Sequence, residues 1–296
     1  MKPTFPALCL TLSLCACVGP DQDESEQWID LLDEDFSHWD VYLSYPGNVI
    51  MSVIGGTAPK NLEPIGLNKD ERGVFSIVEE DGQPILKITG EIYGAAATKQ
   101  EFSNFHFKAK FKWGEKKWEP RLTELKDSGI LYYSVGEFGV DYWHSWMEAQ
   151  ELQIIEGGIG DYWTVAGAQI DIPAVKPPGA ELYVYSPGAP ALHFSAGDSE
   201  TAVANHCRRG EDREISEQWN EVELICYESD CVHIANGGVV MTLENSRHAR
   251  DGRIVPLTRG KIQIQSEAAE VFYKDIKIKP IDAMPAEYGE YFGRSG

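Results

Sequence analysis

An all-β domain, a sandwich or barrel of short antiparallel strands, is the fold class this sequence predicts. Three observations carry it. Polar and apolar residues alternate with period two in several stretches, turn-forming Gly, Asn and Asp punctuate them at fairly regular spacing, and no segment carries a sustained helical stripe. No Pro/Ser-rich linker interrupts residues 28–281, so this stretch reads as one domain.

Along the chain, residues 1–17 (MKPTFPALCLTLSLCAC) place one Lys before a short apolar run that ends in small residues. The run is too short to span a bilayer and has the layout of a secretory leader. Its end, Leu14-Cys15-Ala16-Cys17, resembles a bacterial lipobox. That resemblance implies cleavage before Cys17, a diacylglyceryl group on its sulfur, and a chain held by lipid at the bacterial outer membrane. Residues 18–27 read as an acidic, flexible tether. Residues 41–70 and 171–216 hold Pro, Gly and few alternating runs and are expected as long loops. Residues 74–90 predict strand, Asp-Gly turn, strand. The run from Phe105 to Lys112 alternates strictly, with an aromatic-rich face toward a core and Lys toward water. Residues 219–243 predict a three-stranded meander, with Asn236-Gly237 as a hairpin turn. Residues 260–266 and 272–279 alternate again, and the tail 282–296 shows no strand or helix pattern.

The charge balance narrows the function. Against 26 Lys+Arg stand 47 Asp+Glu, a net charge of -21. Nucleic acid needs a basic face, so it is excluded as a partner, and electrostatic docking on anionic lipid is disfavoured. Membrane attachment is expected through the lipid alone. After the leader is lost, Cys207, Cys226 and Cys231 remain beside Cys17. If Glu228-Ser229 is a two-residue turn, Cys226 and Cys231 face each other across a hairpin and either bridge or stay buried thiols. No Asp/Glu cluster has calcium-loop spacing, so a structural Ca²⁺ is left unassigned.

The most informative segment runs from Glu151 to Glu156. On a regular strand Glu151 and Gln153 share a face, about 6.5–7 Å apart. A bulge near Ile155 would bring Glu156 to the same face. The spacing E-x-Q-x-x-E then sets two carboxylates and an amide over one surface, where they can divide into proton donor and base. Trp143, His144 and Trp146 precede this strand, and Asp161 and Trp163 follow it. Indole faces beside carboxylates and amides suit a sugar cleft, although each Trp taken singly also fits plain core filling. Lys99 and Arg121 are lone cations near the Trp cluster, able to polarise a carbonyl or enolate oxygen. His233 reads either as a half-buried structural residue or as a base or hydroxyl ligand at the cleft rim.

Thr98-Lys99, residues 105–118 with Pro120-Arg121, Asp127-Ser-Gly-Ile, residues 151–163, Trp219-Asn220, residues 233–238 and residues 260–281 together resemble the 3-keto-disaccharide hydrolase domain, formerly domain of unknown function 1080. Two positions differ from many relatives: Asp127 stands where they carry Asn, and Ala268 where they carry Gly. The resemblance implies a concanavalin A-like jelly roll of two antiparallel sheets with one concave face. It also implies cleavage of 3-keto-glycosides. A ketone at C3 acidifies the C2 proton, a base removes it, a cation or donor holds the enolate oxygen, and an acid protonates the departing C1 oxygen; water then adds back. No redox cofactor is needed for these steps, and a separate sugar 3-dehydrogenase would supply the ketone. The roles expected from the resemblance are Glu151 or His144 as base, Lys99 or Arg121 at the C3 oxygen and Glu156 as acid, with Gln153, Asp161 and His233 orienting hydroxyls. Two rivals stand beside it: a retaining glycoside hydrolase on the same fold, and a carbohydrate-binding lipoprotein without catalysis.

Overall fold

The alternation read from residues 105–112 becomes the long strand Phe105–Lys117 at the centre of a sheet. In this computed structural model, which describes Met1, residues 28–196 and residues 200–293, Phe105, Phe107, Ala109 and Phe111 are buried while the intervening His and Lys side chains lie half-buried on the outer face. The leader, the lipobox with Cys17 and the tether lie outside the described residues. Strand Ala269–Pro280 pairs with one edge of Phe105–Lys117 and strand Asn220–Tyr227 with the other, both antiparallel. The meander continues this first sheet through Asp230–Ala235 and Gly238–Arg250. The hairpin Phe75–Glu80 and Gln83–Ile88 closes the other side. Its turn is Asp81-Gly82, with φ of 54° and 75°, the doubly left-handed pair that such a turn requires.

The second sheet runs Gly66–Leu67, Trp39–Pro46, Ile92–Thr98, Lys261–Ser266, Asp127–Val135, Glu148–Ile155 and Tyr162–Val165, antiparallel at every step. Between the two sheets lies the main core. Phe107, Phe111, Leu224 and Tyr273 enter it from the first sheet, and Ile130, Tyr132, Leu152 and Ile264 from the second. Removing such side chains from water contributes most of what holds two sheets face to face. The fold is thus the all-β sandwich of two antiparallel sheets. Strand Gly238–Arg250 outruns the first sheet and pairs with Ala168–Val175 and Arg253–Pro256 in a small accessory sheet.

Several stretches differ from the sequence expectation. Residues 41–70 are not one long loop: strand Trp39–Pro46 extends into them and the helix Gly47–Ile54 follows. That helix is too short to show a stripe, and its β-branched residues read locally as strand. Its Ile50 is fully buried against the outer side of the second sheet, in a cluster with Tyr93, Leu131 and Trp146. Residues 171–216 likewise hold short strands, Tyr183–Tyr185, Ala191–Ser195 and His206–Arg208, whose Pro and Gly neighbours hide the alternation. Cys226 and Cys231 oppose each other in register across the predicted turn, yet both are free, buried thiols. They belong to the inter-sheet core, where burial pushes the Cys226 thiol well up and keeps it protonated.

The tail is also ordered in its described part. Ala286–Gly289 forms a turn of helix, followed by a 3₁₀ turn at Glu290–Phe292. Met284, Tyr288 and Phe292 pack on Ile225, Val232 and Ile234, which point outward from the first sheet. Among the described residues no helix is long and apolar enough to cross a membrane. Replacing Tyr288 and Phe292 together by Ala should lower the unfolding free energy by about 2–3 kcal/mol in urea titrations, because both cover apolar strand residues. A loss under about 0.5 kcal/mol would mean that the segment does not hold this surface.

Candidate active site

The outward face of the second sheet is built from small residues and amides rather than from charges facing water. Gln265 pairs with Ala95 across one strand junction, and Gly129 pairs with Gln153 across another. Ala95 and Gly129 leave the sheet surface open. A Cβ at Gly129 would collide with the Glu151 Oε1 and Gln265 Oε1 atoms. The missing side chain therefore lets these two groups converge. One step along the strands, Glu151 pairs with Leu131 on one side and Trp163 on the other. Asp127 and Glu267 meet at an isolated bridge at the end of the sheet. The result is a pocket of about 350 Å³. Asp127, Glu151, Gln153, Gln265, Glu267 and Arg121 form its polar lining, and Trp143, Trp146 and Trp163 its aromatic one.

Two buried carboxyl groups, Asp127 and Glu267, share one guanidinium, and a third, Glu151, lies beside Asp127. Arg121 Nη2 lies 2.6 Å from Asp127 Oδ2, and its Nη1 lies 3.5 Å from Glu267 Oε1. Gln153 Nε2 donates to Asp127 Oδ1 at 2.7 Å. Burial disfavours the charge of Arg121, but Asp127 and Glu267 hold its pKa above the ordinary value. Burial pushes Asp127 up to about 7, against the pull of Arg121. Glu151 and Glu267 are pushed well up, first by burial and then by the neighbouring Asp127. A site with one cation cannot keep three carboxylates ionised in low dielectric. Burial thus favours the protonated forms of Glu151 and Glu267, while Arg121 pulls Asp127, its nearest carboxyl group, toward the carboxylate. The site thus holds a poised base beside proton donors. Two buried polar atoms of the lining lack a partner within the described protein, Thr164 Oγ1 and Arg121 Nε, and the Gln265 amide meets Glu151. Ligand hydroxyls and a carbonyl would satisfy them.

The aromatic wall is held from behind. Asp141 accepts hydrogen bonds from the backbone N–H groups of Trp143 (2.6 Å), Ser145 (2.8 Å) and Trp146 (2.6 Å), which closes the loop that carries both indoles. Trp146 Nε1 donates to Gly94 O at 3.0 Å, and Trp143 stacks on Tyr93 with centroids 5.2 Å apart. On the other side His206 lies flat against Trp163, 4.2 Å between ring centres at an interplanar angle of 5°. His206 Nε2 donates to Asp161 Oδ2 at 3.0 Å, and Arg209 Nη1 donates to Asp161 Oδ1 at 2.8 Å. Burial works against the charge of Asp161, but His206 and Arg209 hold its carboxyl below the usual range.

The sequence-predicted residues therefore divide. Glu151, Gln153, Arg121, Trp143, Trp146 and Trp163 line one pocket. Asp161 stands behind Trp163 and braces His206 instead of facing the pocket. Glu156 does not join Glu151. The ladder from Asp127↔Ile155 to Leu131↔Glu151 is regular, so no bulge turns Glu156 inward. It ends the strand with its side chain 40% exposed, 3.6 Å from Lys126 Nζ. His144 is exposed on the Trp loop, at a φ of 56°, and does not line the pocket. Lys99 is exposed beyond the end of its strand, where its Nζ donates to Ser37 O at 2.7 Å. His233 is not at a rim: it is fully buried between the sheets, accepts from Tyr132 OH at 3.0 Å through Nε2 and donates to Gly160 O through Nδ1. Burial depresses its pKa to about 3, so it stays neutral. Among the described residues no group of three or more His, Cys, Asp or Glu side chains is arranged to hold a metal ion.

Asp127, Gln265 and Glu267, with Asp141, Thr164 and Asn205, are polar pocket residues that sequence reasoning did not assign. One local signal was available. In residues 260–266 the positions opposite Ile262 and Ile264 hold Gln, whereas in residues 105–112 the equivalent outward positions hold Lys. Amides in place of lysines mark an outward face that is not solvated in the ordinary way.

The model of the 3-keto-alpha-glucoside-1,2-lyase-like domain matches residues 27–279 of this chain. Among solved structures, two Parabacteroides distasonis proteins provisionally described as glycosyl hydrolases are similar. One is 16% identical, covering 86% of this chain and 94% of that chain with a TM-score of 0.44. The other is 17% identical, covering 71% and 92% with a TM-score of 0.41. The carbohydrate-binding module CBM66 from Bacillus subtilis is 5% identical, covering 69% and 91% with a TM-score of 0.38. No curated protein matches the chain.

Gly129→Ala should cost about 1–3 kcal/mol of stability, the range for forcing an extra methyl into a packed site. It should also abolish turnover, because Glu151 and Gln265 must part. A variant with unchanged stability and turnover would show that the two groups do not converge over Gly129.

Proposed function

The chain belongs to the 3-keto-alpha-glucoside-1,2-lyase-like domain family, which makes it a carbohydrate-active protein, and from that premise we propose that its pocket cleaves 3-keto-glycosides by elimination followed by hydration. The observation that carries this reading is the pairing of Asp127 and Glu267 with the Arg121 guanidinium in a pocket that Glu151 also lines. Elimination next to a ketone needs one base, one cation at the carbonyl oxygen and one acid at the leaving oxygen.

Asp127, with its pKa at about 7, takes the proton from C2. The electron pair left at C2 moves onto the C3 oxygen, which Arg121 meets with the donor that has no protein partner, Nε. Glu151, whose protonated form burial favours, gives its proton to the C1 oxygen as the C1–O bond breaks. Water adds across the resulting C1–C2 double bond, at C1, with a proton returned to C2, and the product is the free 3-keto sugar. Glu267 holds Arg121 from its second side. The indoles offer apolar faces for the C–H side of the ring, and Gln153, Gln265 and Thr164 offer partners for hydroxyls. The ketone is supplied upstream by a sugar 3-dehydrogenase.

The same reading carries the leader with it. Residues 1–17 lead the chain out of the cytoplasm and Cys17 anchors it by lipid to the outer membrane, with Val18 to Gln27 as tether. In a bacterial host, labelled palmitate should enter the protein and should be lost with Cys17→Ser. Label retained by that variant would remove the anchor.

The activity test compares a 3-keto-glucoside with the matching non-oxidised glucoside. Release of aglycone from the keto compound alone is the expected result. The kcat/KM should fall as pH drops below about 7, where Asp127 becomes protonated. Asp127→Asn should remove this limb and lower kcat/KM above pH 7 about a hundredfold, and Glu151→Gln should lower kcat about a hundredfold or more. Cleavage of only the non-oxidised glucoside would overturn the elimination.

A further inference from the structure

The outer face of the first sheet, across the sandwich from the pocket, carries the opposite chemistry. Strands Phe105–Lys117 and Ala269–Pro280 place lysines at successive outward positions. Lys110 is bonded to Asp275 at 2.9 Å and Lys277 to Asp30 at 3.0 Å. Lys108, Lys112, Lys274 and Lys279 have no carboxylate within ion-pair distance among the described residues, and each approaches an indole instead. Lys108 and Lys279 stand 4.4 and 5.2 Å from the ring centre of Trp28. Lys112 and Lys274 stand 4.9 and 4.2 Å from that of Trp219. In a chain of net charge -21 this is a local gathering of positive charge, although Glu221 and Glu223 of the adjoining strand stand in register across from Lys110 and Lys108, with Glu223 bonded to His106.

The geometry of the indoles is as telling as the charge. Each indole is met by ammonium groups from two neighbouring strands, within cation–π distance of its ring. Trp28 and Trp219 are each only half-buried, so an indole face remains available above the lysines. Lys108 and Lys112 are four residues apart on one strand, about 13 Å, so the two platforms are farther apart than a single sugar ring is wide. Beside Trp219 a recess of about 240 Å³ is lined by Lys112, Phe272 and Val78, with Glu79 and Glu80 on its turn side. The C-terminal helix covers the neighbouring strands through Ile225, Val232 and Ile234 and leaves this half of the face to solvent.

We infer that this face docks a polyanionic glycan of the uronate class, whose pyranose rings stack on Trp28 and Trp219 while its carboxylates pair with the four flanking lysines. An anionic bilayer would answer to the same charges, but Trp28 and Trp219 are half-buried beside their lysines and do not stand out as fully exposed wedges, which suits a ring stacked at the surface. The surface is separate from the pocket, so it acts on where the protein is held and not on the bond it breaks.

Affinity electrophoresis tests this directly, in gels containing polygalacturonate or, in parallel, uncharged dextran of similar length. Retardation by polygalacturonate alone, weakening as salt rises, is the expected result. The double variant Lys108→Gln/Lys279→Gln, and separately Trp219→Ala, should weaken it about fivefold, while Lys110→Gln, whose ammonium is already paired, should change it little. Turnover of a small 3-keto-glucoside should be the same in all of them, which separates this surface from the pocket chemistry. Equal retardation by dextran, no retardation by polygalacturonate, or insensitivity to the lysine and Trp219 variants would overturn the proposal. So would sedimentation with phosphatidylglycerol vesicles in the absence of polymer binding.

Discussion

One guanidinium among three buried carboxyl groups is the constraint on which the candidate site depends. Arg121 can balance one full negative charge in a place nearly closed to water, and Asp127 takes it at 2.6 Å. The cost of burying further charge favours the protonated forms of Glu151 and Glu267. The difference among these carboxyl groups follows from placement, not from the side chains themselves. Placement follows in turn from the sheet: Glu151 and Gln153 on one strand, Asp127 and Gly129 on the next, Gln265 on a third. The absence of a side chain at Gly129 lets groups from three strands share one hollow.

The pocket wall shows how far local polar groups can fix large apolar ones. Asp141 spends its carboxylate on three backbone N–H groups and so sets the loop that presents Trp143 and Trp146. Its pKa is nevertheless raised, because burial outweighs those bonds. Opposite, Trp163 is backed by His206, which is fixed by Asp161, which is fixed by Arg209. Each indole therefore meets a ligand with its orientation already determined, and little ordering entropy remains to be lost.

Much of the sandwich was legible because its strands alternate cleanly. Phe105 to Lys112, the Asp81-Gly82 turn and the Asn236-Gly237 turn state their structures in a few residues each. Glu151 and Gln153 were legible for the same reason, since a period of two puts them on one face. Asp127 and Glu267 were not, because their neighbourhood exists only through long-range register: a bridge between positions 140 residues apart, which no local spacing encodes. Glu156 misled because two carboxylates near each other in sequence suggest one site, while a regular ladder sends the second to Lys126. Lys99 and His144 misled by proximity to aromatic residues along the chain. The helix Gly47–Ile54 was hidden because tertiary burial of Ile50, not helical periodicity, stabilises it.

The strands that hold Asp127 and Glu151 lie in the interior of the second sheet, paired on both edges, while the indoles of Trp143 and Trp146 ride on a loop. Backbone amides in the interior of such a sheet exchange with solvent only when much of the molecule opens, whereas those of a loop exchange through small local fluctuations. As the protein is heated or denatured, the strand-borne carboxyl groups therefore keep their places until the fold itself gives way, while the aromatic wall can loosen first and widen the hollow in front of them.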